Sequence, residues 1–148
     1  MPPAGFSSNL WSERLIDRLA YAHDASMYRL VPKAISRPKN ESDVISILKY
    51  ANETQTPLTF RAGGTSLSGQ SISEGIIAET IQGWQEHEII DQGKSIRLSP
   101  GVVGARANMY LSPYSRRIGP DPASINAARI GGIVSNNSSG MVCGVKHN

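Results

Sequence analysis

A capped helix that leads into a short strand and a glycine-rich loop constrains this fold more than any other stretch of the sequence. Asn40 or Ser42 can cap a helix that runs from about Glu41 to Asn52. Apolar residues recur on one face of this helix, at Val44, Ile45, Leu48 and Ala51. Pro57 follows, and the run LTFRAGG begins as a strand and continues into two adjacent glycines. Helix, strand and glycine loop in this order predict a fold that mixes helices and strands.

Further periodic stretches predict additional elements. Apolar residues recur at helical spacing from Ser7 to about Ala22, and again through VVGARANMYL, where a second helix stops before Pro113. Extended runs predict one strand around Ala34 to Ser36 and two more in GIIAET and SIRLSPG. A hairpin-like connection that contains Asp91 to Gly93 lies between those two strands. The chain therefore offers several short strands interspersed with helices.

The composition is that of an ordinary globular protein and excludes several functional classes. Of 148 residues, 39% are hydrophobic and 18% are charged, which argues against disorder. The net charge of +3 is carried by scattered lysines and arginines, so no basic stripe indicates nucleic-acid binding. Cys143 is the only cysteine, so the chain forms no internal disulfide and holds no cluster on four thiolates. We predict no metal site.

The ends and apolar runs of the sequence bear on its location. No apolar stretch approaches the roughly 20 residues that cross a bilayer. The amino-terminal run MPPAGFSSNLWSERL lacks the basic start and apolar core of a secretory signal. We therefore expect a cytoplasmic protein without a transmembrane segment.

The stretch RAGGTSLSGQS, from Arg61 to Ser71, combines three glycines with four hydroxyl side chains. A diphosphate needs many hydrogen-bond donors that come close without a bulky side chain in the way, and glycines allow that approach. The stretch is neither of the common phosphate loops, because no lysine occurs between Lys49 and Lys94 and the glycine spacing is not G-x-G-x-x-G. Taken alone, such a stretch is more often a surface turn than an anion site.

A second donor-rich segment, ARIGGIVSNNSSG, favours the anion site. It again pairs two glycines with short polar side chains further along the chain. GPDPAS lies just ahead of it, and its two prolines fix the backbone on both sides of Asp121, although a stiff turn alone would explain them. Two separate donor-rich segments are what a bipartite nucleotide site requires.

Five motifs in a fixed order resemble one family. PKNESDV, PLTFRAGGTSLSGQS, SPGVV, GPDPAS and IGGIVSNNSSGMVCG are similar to the FAD-binding domain of the vanillyl-alcohol oxidase and p-cresol methylhydroxylase superfamily. The similarity covers about residues 20 to 148. More narrowly, the pattern resembles FAD-linked D-lactate and glycolate dehydrogenases, especially the long bacterial forms fused to an iron-sulfur part. The resemblance implies an α+β, two-subdomain FAD-binding fold of the p-cresol methylhydroxylase type.

The resemblance also implies the layout of the chain. Residues from about 1 to 30 would form an N-terminal helix and connection. Residues from about 31 to 102 would form a nearly complete first α/β subdomain, and residues from about 103 to 148 the start of a second, truncated one. The chain would be the amino-terminal part of a larger flavoenzyme, whose cap, catalytic residues and iron-sulfur cysteines lie further on. We assign no catalytic residue within it.

The same resemblance implies which residues contact FAD. Around the pyrophosphate it implies contacts from Gly63, Gly64, Thr65, Ser66, Leu67, Ser68, Gly69, Gln70 and Ser71. In the later segments it implies cofactor contacts from Pro100, Gly101, Pro120, Asp121, Ser124, Gly131, Gly132, Ser135, Asn136, Ser139 and Gly140. Members that bind flavin covalently often carry a histidine directly after the first glycine pair, and because Thr65 stands there we expect non-covalent FAD. The histidines His23, His87 and His147 are isolated, and Cys143 fits a small buried residue better than a nucleophile.

The resemblance implies the FAD-binding part of a flavin-dependent oxidoreductase that oxidises a 2-hydroxy acid such as D-lactate or glycolate. The partners would be FAD and, in the full-length protein, the hydroxy acid; an iron-sulfur cluster would belong to a C-terminal part outside this chain. The alternative is a non-catalytic binding or interaction module on the same scaffold. The related NADPH-dependent reductase of cell-wall precursor synthesis fits GPDPAS and NNSSGMVCG poorly. Uncovered apolar side chains would favour self-association, namely those of Ile130, Ile133, Val134 and Val142.

Overall fold

The fold consists of short strands and helices in two compact units. The structure, a computed structural model, describes residues 2–3, 6–141 and 143–144. The first unit extends to Gly83 and the second begins at Trp84. The elements are β1 (Trp11–Ser12), α1 (Leu15–Ala20), β2 (Ala34–Ser36), α2 (Glu41–Glu53), β3 (Leu58–Arg61), β4 (Ile76–Glu79), β5 (His87–Ile90), β6 (Ser95–Leu98), α3 (Gly104–Leu111) and α4 (Ile130–Ser135).

The first unit contains a four-stranded sheet in the order β1-β2-β4-β3. β1 pairs antiparallel with β2, whereas β2, β4 and β3 are parallel. Every residue of β4 is buried, as expected for a strand between two neighbours. In register, Ser36 lies opposite Ala78 and Arg61 lies opposite Glu79. The three parallel strands therefore end at the same edge of the sheet.

Helix α2 confirms the sequence prediction, and Asn40 provides its cap. The Asn40 side chain accepts a hydrogen bond from the Asp43 N–H at 2.9 Å, and the Asp43 carboxylate accepts one from the Lys39 N–H at 2.8 Å. The predicted apolar face is wrong in part, because Ile45 and Leu48 are 51% and 47% exposed. The core cluster is formed instead by Phe6, Leu10, Ile47, Ala51 and Ile76.

The predicted helix from Ser7 to about Ala22 is wrong in its first half. A 3₁₀ turn at Ser8–Leu10 leads into β1, and only Leu15–Ala20 is α-helical. Trp11 and Ser12 pair with β2, and the Arg37 N–H donates to the Leu10 carbonyl at 2.8 Å. These backbone bonds to a distant strand replace those that a helix would make.

The second unit contains a hairpin and two helices. β5 and β6 pair antiparallel, and the 3₁₀ turn Asp91–Gly93 connects them. The sequence analysis found this turn but missed β5, because the strand that it placed before the turn is β4 of the first unit. Helix α3 confirms the prediction for VVGARANMYL. The segment after it forms α4, on which Ile133 is buried while Val134 is 73% exposed.

The fold bears on two predictions, one about exposed apolar side chains near the carboxyl end and one about transmembrane segments. Burial of Ile133 contradicts its expected exposure, while Val142 lies outside the described residues. Within residues 2–3, 6–141 and 143–144, no helix is both long and apolar enough to cross a membrane.

Candidate cofactor-binding site

The first glycine loop, Gly63–Ser71, lies where β3 ends at the carboxyl edge of the parallel sheet. Gly64 and Gly69 have φ angles of 64° and 73°, in the left-handed region where a Cβ is costly. Ligands of open α/β sheets bind outside the carboxyl ends of the strands. The loop therefore has both the position and the backbone freedom that the sequence analysis expected.

The start of the loop presents backbone donors without protein partners. In the part of the chain that the structure describes, the N–H groups of Gly63, Gly64 and Thr65 donate to no other residue. Consecutive free N–H groups form a concave site for anions, and their neutral dipoles suit phosphate oxygens. The donor set fits the pyrophosphate of a dinucleotide.

Two of the four hydroxyls in the loop are used within the protein. Ser66 Oγ accepts hydrogen bonds from the N–H groups of Ser68 at 3.1 Å and Gln70 at 3.2 Å. Ser71 Oγ donates to Asp24 Oδ2 at 3.1 Å. Ser66 therefore shapes the loop and Ser71 anchors its end, which leaves Thr65 and Ser68 as hydroxyls able to face a ligand.

A charged cluster surrounds the end of β3. The Tyr21 hydroxyl donates to the Glu79 carboxylate, and Arg37 Nε lies 3.7 Å from Glu79 Oε2. The guanidinium carbons of Arg37 and Arg61 lie 5.6 and 5.3 Å from the centre of the Tyr21 ring. Burial, and after it the hydrogen bond to Glu79, raises the pKa of Tyr21 above its ordinary value. Tyr21 therefore stays protonated and joins this cluster as a neutral donor.

A cavity of about 320 Å³ adjoins the loop. It is lined by Tyr28, Arg29, Leu30, Ser68, Gly69 and Ile72. A Cβ on Gly69 would lie 3.1 Å from Tyr28 Cδ2, so this glycine permits close packing of the loop on the 28–30 segment. The second half of the loop is thus brought beside residues that the sequence analysis did not assign.

In the second unit, Pro100 and Gly101 lie beside the start of α4. The Gly131 N–H donates to the Pro100 carbonyl at 2.9 Å, and a Cβ on Gly131 would lie 2.8 Å from Pro100 Cβ. The Gly101 carbonyl accepts hydrogen bonds from Gln85 at 2.8 Å and from Arg129 at 2.5 Å. Gly131 therefore allows close packing on Pro100.

Asp121 and Gly140 form a second contact in this unit. A Cβ on Gly140 would lie 2.1 Å from the Asp121 carbonyl oxygen, and the Cys143 N–H donates to Asp121 Oδ1 at 3.3 Å. The GPDPAS turn thus holds the end of the donor-rich segment. Gly140 is required by backbone packing, as Gly131 is.

The other assigned residues lie on nearby turns and on α4. The Ser124 carbonyl accepts from the N–H groups of Ala127 and Ala128, which makes a turn after Pro120. Gly132 and Ser135 belong to α4, Asn136 follows it directly, and Ser139 is exposed. The cofactor contacts assigned to both units stay predictions.

The histidines and the cysteine occupy separate positions. His87 stacks on Tyr110 with ring centres 3.7 Å apart, and His23 is exposed. His147 lies outside the described residues. Cys143 is buried, and its sulfur accepts from the Gly140 N–H at 3.1 Å. Among the described residues, no group of three or more His, Cys, Asp or Glu side chains could hold a metal ion.

Three charged residues of these sites were missed as site residues by the sequence analysis. Asp24 forms a turn by accepting from the Ser26 N–H at 2.9 Å, and it also accepts from the Ser71 hydroxyl. Arg61 donates to the His23 carbonyl, and Arg129 donates to the Gly101 carbonyl. An arginine two residues before a glycine pair, in the pattern R-x-G-G, is a usable sequence signal for both Arg61 and Arg129, whereas nothing local marks Asp24.

Comparison with known proteins identifies the family of these sites. Residues 32–148 match the model of the FAD binding domain family. The chain is 34% identical over 129 residues to a D-2-hydroxyglutarate dehydrogenase of Pantoea ananatis. The aligned segment covers 84% of this chain and 13% of that protein. It is 30% identical over 120 residues to the glycolate oxidase subunit GlcD of Escherichia coli, and the aligned segment covers 80% of this chain and 24% of that subunit. It is 29% identical over 129 residues to a D-lactate dehydrogenase of Archaeoglobus fulgidus, and the aligned segment covers 82% of this chain and 29% of that protein.

The fold has solved counterparts as well. An alkyldihydroxyacetonephosphate synthase matches with a TM-score of 0.76 at 16% identity, over 93% of this chain and 29% of that one. This likeness confirms the predicted FAD-binding fold. The chain spans 13% to 29% of the length of the curated relatives named above.

Proposed function

Because the chain belongs to the FAD binding domain family, we propose that it binds FAD non-covalently as the cofactor-binding part of an oxidoreductase acting on 2-hydroxy acids such as D-lactate or glycolate. One observation carries this proposal, namely the run of free backbone N–H groups at Gly63, Gly64 and Thr65. These donors lie at the carboxyl edge of the parallel sheet. The names of the relatives support the substrate class.

The loop fits the pyrophosphate of FAD in its chemistry. Each hydrogen bond to a charged oxygen is typically worth about 1.5 to 3 kcal/mol, so three N–H groups can hold a diphosphate without a lysine. Gly64 adopts a left-handed backbone conformation and, as a glycine, has no side chain on the turn. In our proposal Gly63, Gly64 and Thr65 hold the pyrophosphate, and Ser68 adds a hydroxyl. When bound, FAD supplies the acceptor for the two electrons that leave the hydroxy acid.

Thr65 is the basis for the non-covalent part of the proposal. A threonine hydroxyl cannot form the histidyl bond to flavin, and residue 65 directly follows the glycine pair. Bound flavin should therefore pass into the supernatant when the loaded chain is precipitated with acid. Flavin that stays with the protein pellet would contradict this part of the proposal.

The first prediction tests FAD binding with matched glycine variants. Gly64→Val adds a branched side chain to a left-handed residue of the loop and should weaken FAD binding by well over tenfold, about 1.4 kcal/mol or more. Gly93→Val is the control, because Gly93 also has a positive φ, of 82°, and its Cβ would meet Tyr114 rather than the loop. The measurement is quenching of flavin fluorescence during titration of the 148-residue chain.

Circular dichroism shows whether each variant is folded. A folded Gly64→Val chain with unchanged affinity would show that this loop does not hold FAD. The alternative, a non-catalytic module that lacks the cofactor, predicts that the purified wild-type chain is colourless and gives no saturable titration.

A further inference from the structure

Two charged side chains outside the assigned contacts hold the glycine loop at both ends. Arg61 is the last residue of β3, and its Nη1 donates to the carbonyl of His23 at 2.8 Å. The same nitrogen lies 3.4 Å from the carbonyls of Tyr21 and Ser71. Arg61 thus links the strand end, the 21–23 segment and the last residue of the loop.

Asp24 closes the loop from the same segment. Its Oδ2 accepts from Ser71 Oγ at 3.1 Å, and its Oδ1 accepts from the Ser26 N–H at 2.9 Å. The neighbouring Ala25 N–H donates to the Gly64 carbonyl at 3.2 Å. Asp24 is only 9% exposed, so water competes weakly for these bonds. Residues 24 and 25 therefore hold both Gly64 and Ser71.

The Arg61 guanidinium lies directly beside Gly64, one of the three residues with free N–H groups. A Cβ on Gly64 would lie 2.5 Å from Arg61 Nη2 and 2.8 Å from its Cζ. No carboxylate lies within ion-pair distance of Arg61 in the part of the chain that the structure describes. Its hydrogen bonds go to backbone carbonyls, and its Cζ lies 5.3 Å from the centre of the Tyr21 ring. A positive group thus lies beside the turn at Gly64 and fills the space that a side chain there would need.

We propose that Arg61 and Asp24 are positioning residues that hold Gly63–Ser71 in the diphosphate-binding conformation before FAD arrives. The inference rests on the proposed function, because that function names the loop as the FAD site. A loop with three glycines has many unbound conformations, and ordering it before binding removes an entropic cost from the affinity. Neither residue needs to touch the ligand for this effect.

The binding test uses one variant and one matched control for each residue. Asp24→Asn and Arg61→Met should weaken FAD binding by tenfold or more. Asp17→Asn and Arg97→Met should stay within about twofold, since Asp17 also accepts a serine hydroxyl, from Ser12 at 2.5 Å, and Arg97 pairs with Glu88 on the hairpin. Arg61→Lys keeps the charge but not the planar set of donors, so it should not restore affinity. Wild-type affinity in Asp24→Asn or in Arg61→Lys would overturn the role of that residue.

Ligand fragments separate positioning of the loop from general damage. ADP carries the diphosphate, so its binding should weaken as much as that of FAD. Riboflavin carries no phosphate, and any binding of it should be unchanged. Equal losses for ADP and riboflavin would indicate a general structural effect and overturn the proposal.

Hydrogen exchange tests the same idea in the free chain. In Asp24→Asn and in Arg61→Met, the N–H groups of residues 66–71 should exchange at least tenfold faster than in the wild-type chain. The exchange of the N–H groups of β4 should not change. Equal exchange in variant and wild-type loops would overturn the proposal even if affinity falls. If the wild-type chain binds neither FAD nor ADP, the proposed function fails, and the exchange result still decides whether Arg61 and Asp24 order the loop.

Discussion

At the scale of single residues, the glycine loop separates two kinds of donor that look alike in the sequence. The Ser66 hydroxyl accepts a hydrogen bond from within the loop, and the Ser71 hydroxyl donates one to Asp24. The backbone N–H groups of Gly63 and Gly64 have no partner among the described residues. Hydroxyls that bind nearby backbone stabilise turns, and this frees the N–H groups for an anion. The dense row of serines therefore serves largely to shape the loop.

The Asp24 carboxylate should make stability depend on pH. Burial favours its protonated form, but hydrogen bonds from Ser26 and Ser71 outweigh burial and lower the pKa of Asp24 below its ordinary value. The unfolded pKa is about 3.9, so Asp24 stabilises the fold above that pH and loses the contribution as pH falls through the lower folded pKa. We expect the difference in unfolding free energy between wild type and Asp24→Asn to be constant above about pH 5 and to shrink below it.

Urea unfolding at a series of pH values from 7 to about 3 measures this difference. Only the Asp24 contribution should respond, so the comparison with Asp24→Asn cancels the other carboxylates. A difference that stays constant or grows on acidification would contradict the assigned role of Asp24.

At the scale of elements, short-range signals and long-range pairing compete. Helix α2 begins at its cap, because Asn40 and Asp43 satisfy backbone N–H groups within four residues of each other. In contrast, Trp11 and Ser12 follow a helical pattern but form β1, because β2 offers them a strand to pair with. Local helix propensity therefore predicted α2 correctly, where a cap supports the helix. It predicted β1 wrongly, where a neighbouring strand was available for pairing.

The cap of α2 provides a prediction with a control in the same helix. Asn40→Ala removes the acceptor for the Asp43 N–H and should lower the free energy of unfolding by about 1 kcal/mol. Asn52→Ala, in the last turn, should be neutral or slightly stabilising, because alanine has the higher helix propensity. Urea denaturation of both variants measures the effect, and equal midpoints would show that the cap contributes nothing.

At the scale of the whole molecule, each of the two compact units contains assigned residues that are held by contacts within that unit. The first holds the free N–H groups of the glycine loop, and the second holds Gly131 and Gly140 against Pro100 and Asp121. Both units fall largely within the matched FAD binding domain. The resemblance noted from the motifs implies that the catalytic groups of such flavoenzymes lie outside the matched segment. Cofactor binding and turnover should therefore be separable.

We expect the 148-residue chain with added FAD to show no dehydrogenase activity. Oxidation of a hydroxy acid needs a base within hydrogen-bond reach of its hydroxyl, and positioning the substrate is worth roughly 7 to 11 kcal/mol that a partial site forgoes. The assay follows reduction of an artificial electron acceptor with D-lactate, glycolate and D-2-hydroxyglutarate, beside a longer version of the protein. FAD-dependent turnover by the short chain that Gly64→Val abolishes would place catalytic groups within these residues.

The sequence by itself determined the elements whose signals are local. The cap and length of α2, the apolar run of β4 and the proline after α3 act within a few residues, so each could be predicted without knowing the fold. The first glycine loop could be proposed as an anion site from the sequence, because its donors are consecutive in the chain and a second donor-rich segment follows it.

Only the tertiary structure decided the strand pairing and the support of the loop. β1 and β5 form where partner strands lie beside them, and these runs of two and four residues are too short to be assigned from their own sequence. Arg61 meets the His23 carbonyl across 38 residues, and Asp24 meets Ser71 across 47. The parallel sheet brings these residues together at one edge, where a buried charge must find partners. Such contacts depend on chain topology, and no local pattern of residues encodes them.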